Sequence, residues 1–173
     1  MKVKIREWAL DDADALASVV NNTDRRYLRN MGDGIYSLRD AKKYIRLTLD
    51  ETHRCGNIFR AITLDDKVVG CISVESGKDV SMVDANIGYY IDNDYTHHGV
   101  ATEAVRLMVD EAFAHLDILR ISAYVCTLNE PSMRVLERCG FGRESVMRSA
   151  ARLGNDVVDV AVYALLREDY IKA

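Results

Sequence analysis

The residues in this chain best suited to chemistry fall into three sets. The first is THHGVAT, Thr96 to Thr102, which joins an apolar stretch, NIGYYID, to an amphipathic one, VATEAVRLMVDEAFAHL. A helix starting there presents unpaired backbone N–H groups and the positive end of its dipole, a ready site for a phosphate or another anion. Gly99 removes a Cβ that would keep an anion off the backbone, Ala101 is small, and Thr102 adds a hydroxyl. The run suits a pyrophosphate held by backbone rather than by lysines; an ordinary βα turn with a glycine in it is the plainer reading. The second set is Asn129 and Ser132 in NEPSMRVLERCG, spaced i, i+3 at a helix start and so on one face. Asn129 has a complete structural explanation as an N-cap. The third set comprises Glu75, Asp84 and Asp159, acids in or beside strands, and Cys126, a thiol with no histidine near it in sequence. For Glu75 and Asp84 a solvated edge carboxylate is the plainer role, Asp159 reads equally as a structural partner or an acceptor-site residue, and for Cys126 and Cys139 a small buried hydrophobe is the plainer role. His97 and His98 are adjacent in a turn, where two imidazoles rarely converge on one ion, so no metal is expected.

The elements that must position these groups follow from periodicity. KVKIREW alternates as a strand. LDDADALASVVNN reads as a helix capped by Asp11 or Asp12, with Ala15, Leu16, Val19 and Val20 on its apolar face. Ser37 caps a second helix on which Ala41, Tyr44, Ile45, Thr48 and Leu49 recur at helical spacing. IFRAITL and KVVGCISVE form a hairpin, SMVDANIGYYID a further strand, and the long helix from Val100 follows. RISAYVCT is a strand, NEPSMRVLERCG a short helix with Gly140 as its terminator, and FGRESVMRSAARL and DVVDVAVYALL are strands around a GND turn. The strands before the long helix are expected to form an antiparallel meander. The NIGYYID–helix–RISAYVC crossover makes those two strands parallel. The fold class is α/β: a mixed, mostly antiparallel sheet with a central parallel pair and helices on both faces.

The chain has 173 residues, which suits a single domain over 1–173 with a real core. With 23 Lys+Arg against 27 Asp+Glu the net charge is −4, which argues against broad binding to nucleic acid or an anionic membrane. Cys55, Cys71, Cys126 and Cys139 form no C-x-x-C pair and do not suggest a disulfide framework. There is no signal-peptide h-region and no membrane span, so a soluble, reducing, cytoplasmic setting is expected. Neither G-x-G-x-x-G nor G-K-S/T is present, so dinucleotide folds and P-loop NTPases fit poorly.

GYYIDNDYTHHGVATEA, residues 88–104, resembles the acetyl-CoA signature of the GNAT acetyltransferase superfamily, Q/R-x-x-G-x-G/A. Gly99 and Ala101 match it, and Thr96 stands where Gln or Arg is most common. The closer likeness is to the RimJ/RimL-type branch, which reads GYWLxPEYWGKGYATEA in the same register. RISAYVCTLNEPSMRVLERCGF matches that branch's strand followed by N-x-x-S-x-x-x-L-E-x-x-G-F. DVVDVAVYALL matches its closing strand, and YLRNMGDGIYSLRDAKKYI its N-terminal part.

The resemblance implies a GNAT fold and transfer of an acetyl group from acetyl-CoA to a primary amine by direct attack in a ternary complex. The acceptor is left open: a protein N-terminus, a polyamine, an amino sugar or an amino acid. A non-catalytic acyl-CoA-binding sensor is the alternative, and a homodimer is left open because such dimers are common in the branch. The backbone of Tyr90 and Ile91 is expected to pair with pantetheine. His97, His98, Gly99, Val100, Ala101 and Thr102 would hold the pyrophosphate, and Asn129 would touch the pantetheine arm. An imidazole titrates near 6.5, so phosphates beside His97 and His98 would favour its charged form and raise CoA affinity between pH 8 and pH 6. Ser132 is the implied proton donor to the leaving thiolate. Many relatives use a tyrosine four residues later, and here that place is Leu136. Many also carry a glutamate base where this chain has Tyr124, so Glu75, Asp84 or a water chain is left for that role.

Overall fold

A computed structural model describes residues 2–28 and 34–172, with side chains at 52–55 and beyond 170 left aside. The part of the N-terminal resemblance at 29–33 and the side chain of Cys55 lie outside the described residues. Seven strands form one sheet: β1 (Val3–Arg6), β2 (Ile58–Leu64), β3 (Lys67–Ser76), β4 (Asp84–Ile91), β5 (Arg120–Cys126), β6 (Gly142–Leu153) and β7 (Asp156–Leu166), in the order β1-β2-β3-β4-β5-β7-β6. The helices are α1 (Ala13–Asn21), α2 (Leu38–Cys55), α3 (Val100–His115), α4 (Glu130–Arg138) and α5 (Arg167–Lys172). The meander β1 to β4 is antiparallel, β4 and β5 are the parallel pair, and β7 lies between β5 and β6. The α/β class, the parallel pair and its α3 crossover are all as the periodicity predicts.

Each sheet face has its own core because β2 and β3 are apolar at successive positions and so bury both sides. On one face Ile62, Ile72 and Val74 pack with Val105, Met108 and Val109 of α3 and Leu136 of α4. On the other, Phe59, Ala61 and Cys71 pack with Leu16, Val19 and Val20 of α1 and Ala41 and Ile45 of α2. Ser37 caps α2 in a box with Asp40: the Asp40 N–H donates to Ser37 Oγ at 3.2 Å, and the Ser37 N–H to Asp40 Oδ2 at 3.0 Å. Asp12 precedes α1 but spends its carboxylate elsewhere, accepting from Arg6 at 2.7 and 2.8 Å and from the Ala9 N–H at 2.8 Å. The Arg6 guanidinium holds that carboxyl below the usual carboxylate range.

Two differences from the sequence expectation bear on the site. The strand expected from Ser81 begins only at Asp84, because Asp79–Ser81 closes as a 3-10 turn. The polar segment after β7 is helical, and Arg167 at its start reaches back to α3. Its guanidinium donates to the carbonyls of Phe113, Leu116 and Ile118 at 2.7–2.8 Å and lies over the Phe113 ring. Carbonyls at the end of α3, which lack helical partners, are thereby satisfied. Among the described residues no helix is long and apolar enough to cross a membrane.

Candidate active site

The parallel ladder between β4 and β5 is short. It holds Asp84↔Arg120, Ala85↔Ile121 and Asn86↔Ser122 and then stops, although both strands continue. From Ile87 onward β4 has a free edge. A cleft of about 680 Å³ opens there, within the size range of ligand pockets. Its walls are the end of β4, the start of α3, the outer face of α4 and the Thr23–Leu28 segment after α1. The last wall is pinned by Asn22, whose Nδ2 donates to buried Asp92 at 2.8 Å and whose carbonyl accepts from the Asn93 N–H at 3.0 Å.

Ladder register decides which backbone groups face the cleft. The Asp92 N–H donates to the Val69 carbonyl and the Gly77 N–H to the Asp84 carbonyl. In an antiparallel pair, alternate residues exchange both bonds. Even-numbered residues of β4 therefore spend their N–H and C=O on β3, and odd-numbered ones point the other way. This corrects the expectation for Tyr90: it is in register with Cys71, and its carbonyl lies over Gly70. The backbone groups free for an extended ligand belong to Tyr89 and Ile91. The Ile91 carbonyl also accepts from Thr23 Oγ1 at 3.2 Å.

At the helix end of the cleft, Gly99 is the N-cap of α3 with φ +78, and the first helical bond runs from Glu103 N–H to the Gly99 carbonyl at 3.1 Å. The N–H groups of Val100, Ala101 and Thr102 precede that bond and have no helical acceptor. A Cβ on Gly99 would meet nothing within 4 Å. The glycine thus serves the left-handed turn first, and the space over it is open for a ligand.

His97 shares the left-handed conformation, with φ +63, at the position where the resembled branch carries glycine. His97 lines the cleft; His98, exposed, does not, because the two positive-φ residues flanking it swing it outward. Left-handed backbone costs a non-glycine residue roughly 1–2 kcal/mol, and glycine's entropy gives back roughly 0.5–1. His97→Gly is therefore expected to stabilise the fold by about 0.5–1 kcal/mol, seen in calorimetry as a Tm rise of about 1–4 °C. A lower Tm would contradict this reading of the turn.

Arginines 26, 134 and 138 also line the cleft. Arg26 pairs with Asp24 at 2.6 Å and Arg134 with Glu130 at 2.9 Å, both pairs on the surface. Nothing in the sequence marks them, since they form no run and come from two distant segments. Their charge complements the α3 N-terminus as an anion site.

The α4 side brings together Asn129 and Ser132 as their spacing predicts. Asn129 caps the helix, its Oδ1 accepting from the Ser132 N–H at 3.3 Å, which leaves its NH2 group as a donor for a ligand. Ser132 Oγ lies 2.9 Å from the Tyr89 hydroxyl, and both residues line the cleft. Burial pushes the Tyr89 phenol well up, against a smaller opposing effect of the Ser132 hydrogen bond. Leu136 is fully buried in the core. Glu137 reaches β7, accepting from the hydroxyl of buried Tyr163 at 2.8 Å.

The acids stand elsewhere. Glu75 does not line the cleft, which, like the outward position of His98, corrects the sequence expectation. It sits near the end of β3, opposite Asn86 near the start of β4, because the strands are antiparallel, while the cleft opens at the end of β4. The Asp84 carboxylate accepts from Ser122 Oγ at 2.8 Å and lies 3.6 Å from Arg120, which also pairs with Glu144 at 2.7 Å. Asp159 has the structural role: its carboxylate accepts from the Ser149 N–H at 2.8 Å and holds the β6 bulge, where Ser149 has φ +53. Cys71, Cys126 and Cys139 are free thiols. Cys139 donates to the Thr102 carbonyl at 3.4 Å, tying α4 to α3.

Known proteins share this construction. Residues 2–142 match the acetyltransferase (GNAT) domain family. Probable N-acetyltransferase YjcK of Bacillus subtilis is 37% identical over 142 residues, 79% of this chain and 77% of that protein. RimL, a ribosomal L7/L12 α-N-protein acetyltransferase solved in complex with coenzyme A, superposes with a TM-score of 0.84 at 20% identity, covering 98% of this chain and 96% of its own. Mycobacterium smegmatis RimJ, solved with a CoA-disulfide, gives 0.83 at 21% identity over 96% of this chain and 83% of its own. The fold is thus a shared one, and this chain belongs to the GNAT family as an N-acetyltransferase.

Proposed function

We propose that the cleft binds acetyl-CoA and passes its acetyl group directly to a primary amine in a ternary complex. The pyrophosphate rests on the N–H groups of Val100, Ala101 and Thr102, with His97 and the arginines around it. Pantetheine runs along β4, pairing with the backbone of Tyr89 and Ile91, and Asn129 donates to its amides. The thioester lies beside Ser132. The observation that carries this reading is the ladder that stops at Asn86↔Ser122 while both strands run on, leaving one edge of β4 unpaired beside a helix N-terminus.

Direct transfer needs the amine and thioester held together, which replaces a bimolecular encounter by a positioned one. The nitrogen attacks the carbonyl carbon, the C–S bond breaks, and the sulfur takes a proton from Ser132. With Glu75 outside the cleft and Asp84 engaged by Ser122 and Arg120, water in the open cleft removes the amine's proton. The acceptor amine is that of a protein N-terminus or of a small molecule such as a polyamine, amino sugar or amino acid. RimL, whose acceptor is a ribosomal protein, supports the first.

A thermal-shift titration tests the site. At a hundredfold excess over Kd, a specific ligand adds about 2.7 kcal/mol, a Tm rise of roughly 5–10 °C at this size. Acetyl-CoA and CoA are expected to give that rise, and ATP and NAD much less. No rise with either thioester or thiol form would withdraw the proposal.

A further inference from the structure

A serine hydroxyl is a weak acid, and its use as a proton donor depends on what holds its oxygen. Here that partner is Tyr89, 43 positions away in the chain, with its hydroxyl 2.9 Å from Ser132 Oγ and 3.2 Å from the Ser132 carbonyl. The Tyr89 ring packs against the core on the α3 face, so the sheet fixes the phenol independently of α4. The tyrosine that many relatives place on α4 is replaced by Leu136, which is sealed in that same core.

We propose that Tyr89 is a positioning residue for the transfer: of the two acceptors in reach of its single phenolic proton, it serves Ser132 Oγ at 2.9 Å over the Ser132 carbonyl at 3.2 Å, and so leaves the serine's own proton directed at the departing sulfur. The inference rests on the reading of Ser132 as proton donor given above. A hydroxyl has one proton to give and two lone pairs to receive with. When Tyr89 fills one lone pair, the serine proton is free for the sulfur. As that proton moves, negative charge grows on Oγ. A hydrogen bond to a charged acceptor is stronger than one to a neutral acceptor, so the phenol stabilises the transition state more than the ground state. Burial pushes the phenol upward, so it keeps its proton and lends only the hydrogen bond. The reaction balances without it. The C–S bond breaks and the C–N bond forms, the sulfur receives the Ser132 proton, and the proton lost by the amine returns to Ser132 through solvent.

The test compares wild type, Tyr89→Phe, Ser132→Ala and the double variant by thiol release, with Tm recorded for each. Phenylalanine keeps the ring and its packing. Ser132→Ala is expected to lower kcat about a hundredfold. Tyr89→Phe should lower kcat about 10–30-fold, the size of one hydrogen bond to a charged group, with KM for acetyl-CoA within about threefold. The double variant is expected to be no slower than Ser132→Ala by more than about threefold. Ser132→Cys gives an independent arm. A thiol, with a reference pKa near 8.5, is acid enough without support, and in that background Tyr89→Phe should cost less than about threefold. Full activity in Ser132→Ala would overturn the serine reading itself. A slow Ser132→Ala beside a fully active Tyr89→Phe would overturn only the role of Tyr89. Losses that multiply in the double variant, or that persist undiminished in the Ser132→Cys enzyme, would likewise overturn it by showing that Tyr89 does not act through the serine.

Discussion

Gly99→Val is expected to weaken acetyl-CoA binding about a hundredfold or more, while Gly99→Asn stays within about fivefold of wild type. Gly99 has φ +78 and open space where a Cβ would sit, so the difficulty for a side chain is torsional and not a clash. Left-handed backbone costs an ordinary residue roughly 1–2 kcal/mol, and for a β-branched residue it is a genuine outlier. Valine escapes by unwinding the first turn of α3. That turn carries the three N–H groups without helical acceptors, from Val100 to Thr102. A hydrogen bond to a charged group is worth about 1.5–3 kcal/mol, so losing two of them accounts for a hundredfold in affinity. Asparagine tolerates the left-handed region several-fold better than most residues and should keep the turn. Calorimetric titration of both variants separates torsion from crowding. If asparagine fails as badly as valine, the bound phosphate occupies the space above the glycine and close approach is what the position serves.

Arg167→Ala is expected to cost about 3 kcal/mol of stability, lowering Tm by about 6–12 °C in calorimetry. One guanidinium closes three carbonyls, those of Phe113 in the last turn of α3, of its C-cap Leu116 and of Ile118 just beyond it. Removing it leaves acceptors without partners, takes a cation from the negative end of the helix, and frees the Phe113 ring from its stacked charge. Arg167→Lys keeps the charge but loses the planar fork, so its loss should be intermediate. A change under about 1 kcal/mol in the alanine variant would mean that water satisfies those carbonyls. The residue matters to the site through α3, whose far end carries the N–H groups of Val100 to Thr102 that have no helical acceptor.

Much of this was legible in the chain because the signals are local. The 3.6-residue pattern of the helices, the period-2 strands and the Ser37 and Asn129 caps depend on neighbours a few positions apart, and the structure follows them. The start of α3 at Gly99 was legible for the same reason. What sequence could not supply was register. Both tyrosines line the cleft, but whether the backbone N–H and C=O of Tyr90 or of Tyr89 point into it depends on a bond between Asp92 and Val69. The same pairing carries Glu75 to the wrong end of β4 for the cleft. The Tyr89–Ser132 contact joins residues with no sequence relation, and Tyr89 in isolation is one of two adjacent tyrosines in an apolar strand. Arg167 was invisible because REDYIK has no apolar periodicity; its role is fixed by the helix end that it meets.

On the proposed reading, the unpaired edge of β4 and the free start of α3 hold the CoA part of the donor. An NMR titration of the amide-labelled protein with CoA reads those backbone groups one by one. The largest shifts are expected at the N–H groups of Tyr89, Ile91, Val100, Ala101 and Thr102, with little change at Gly77 and Leu119 at the opposite end of the parallel pair. Shifts confined to other parts of the sheet, or saturating binding that leaves these five amides unmoved, would contradict the account.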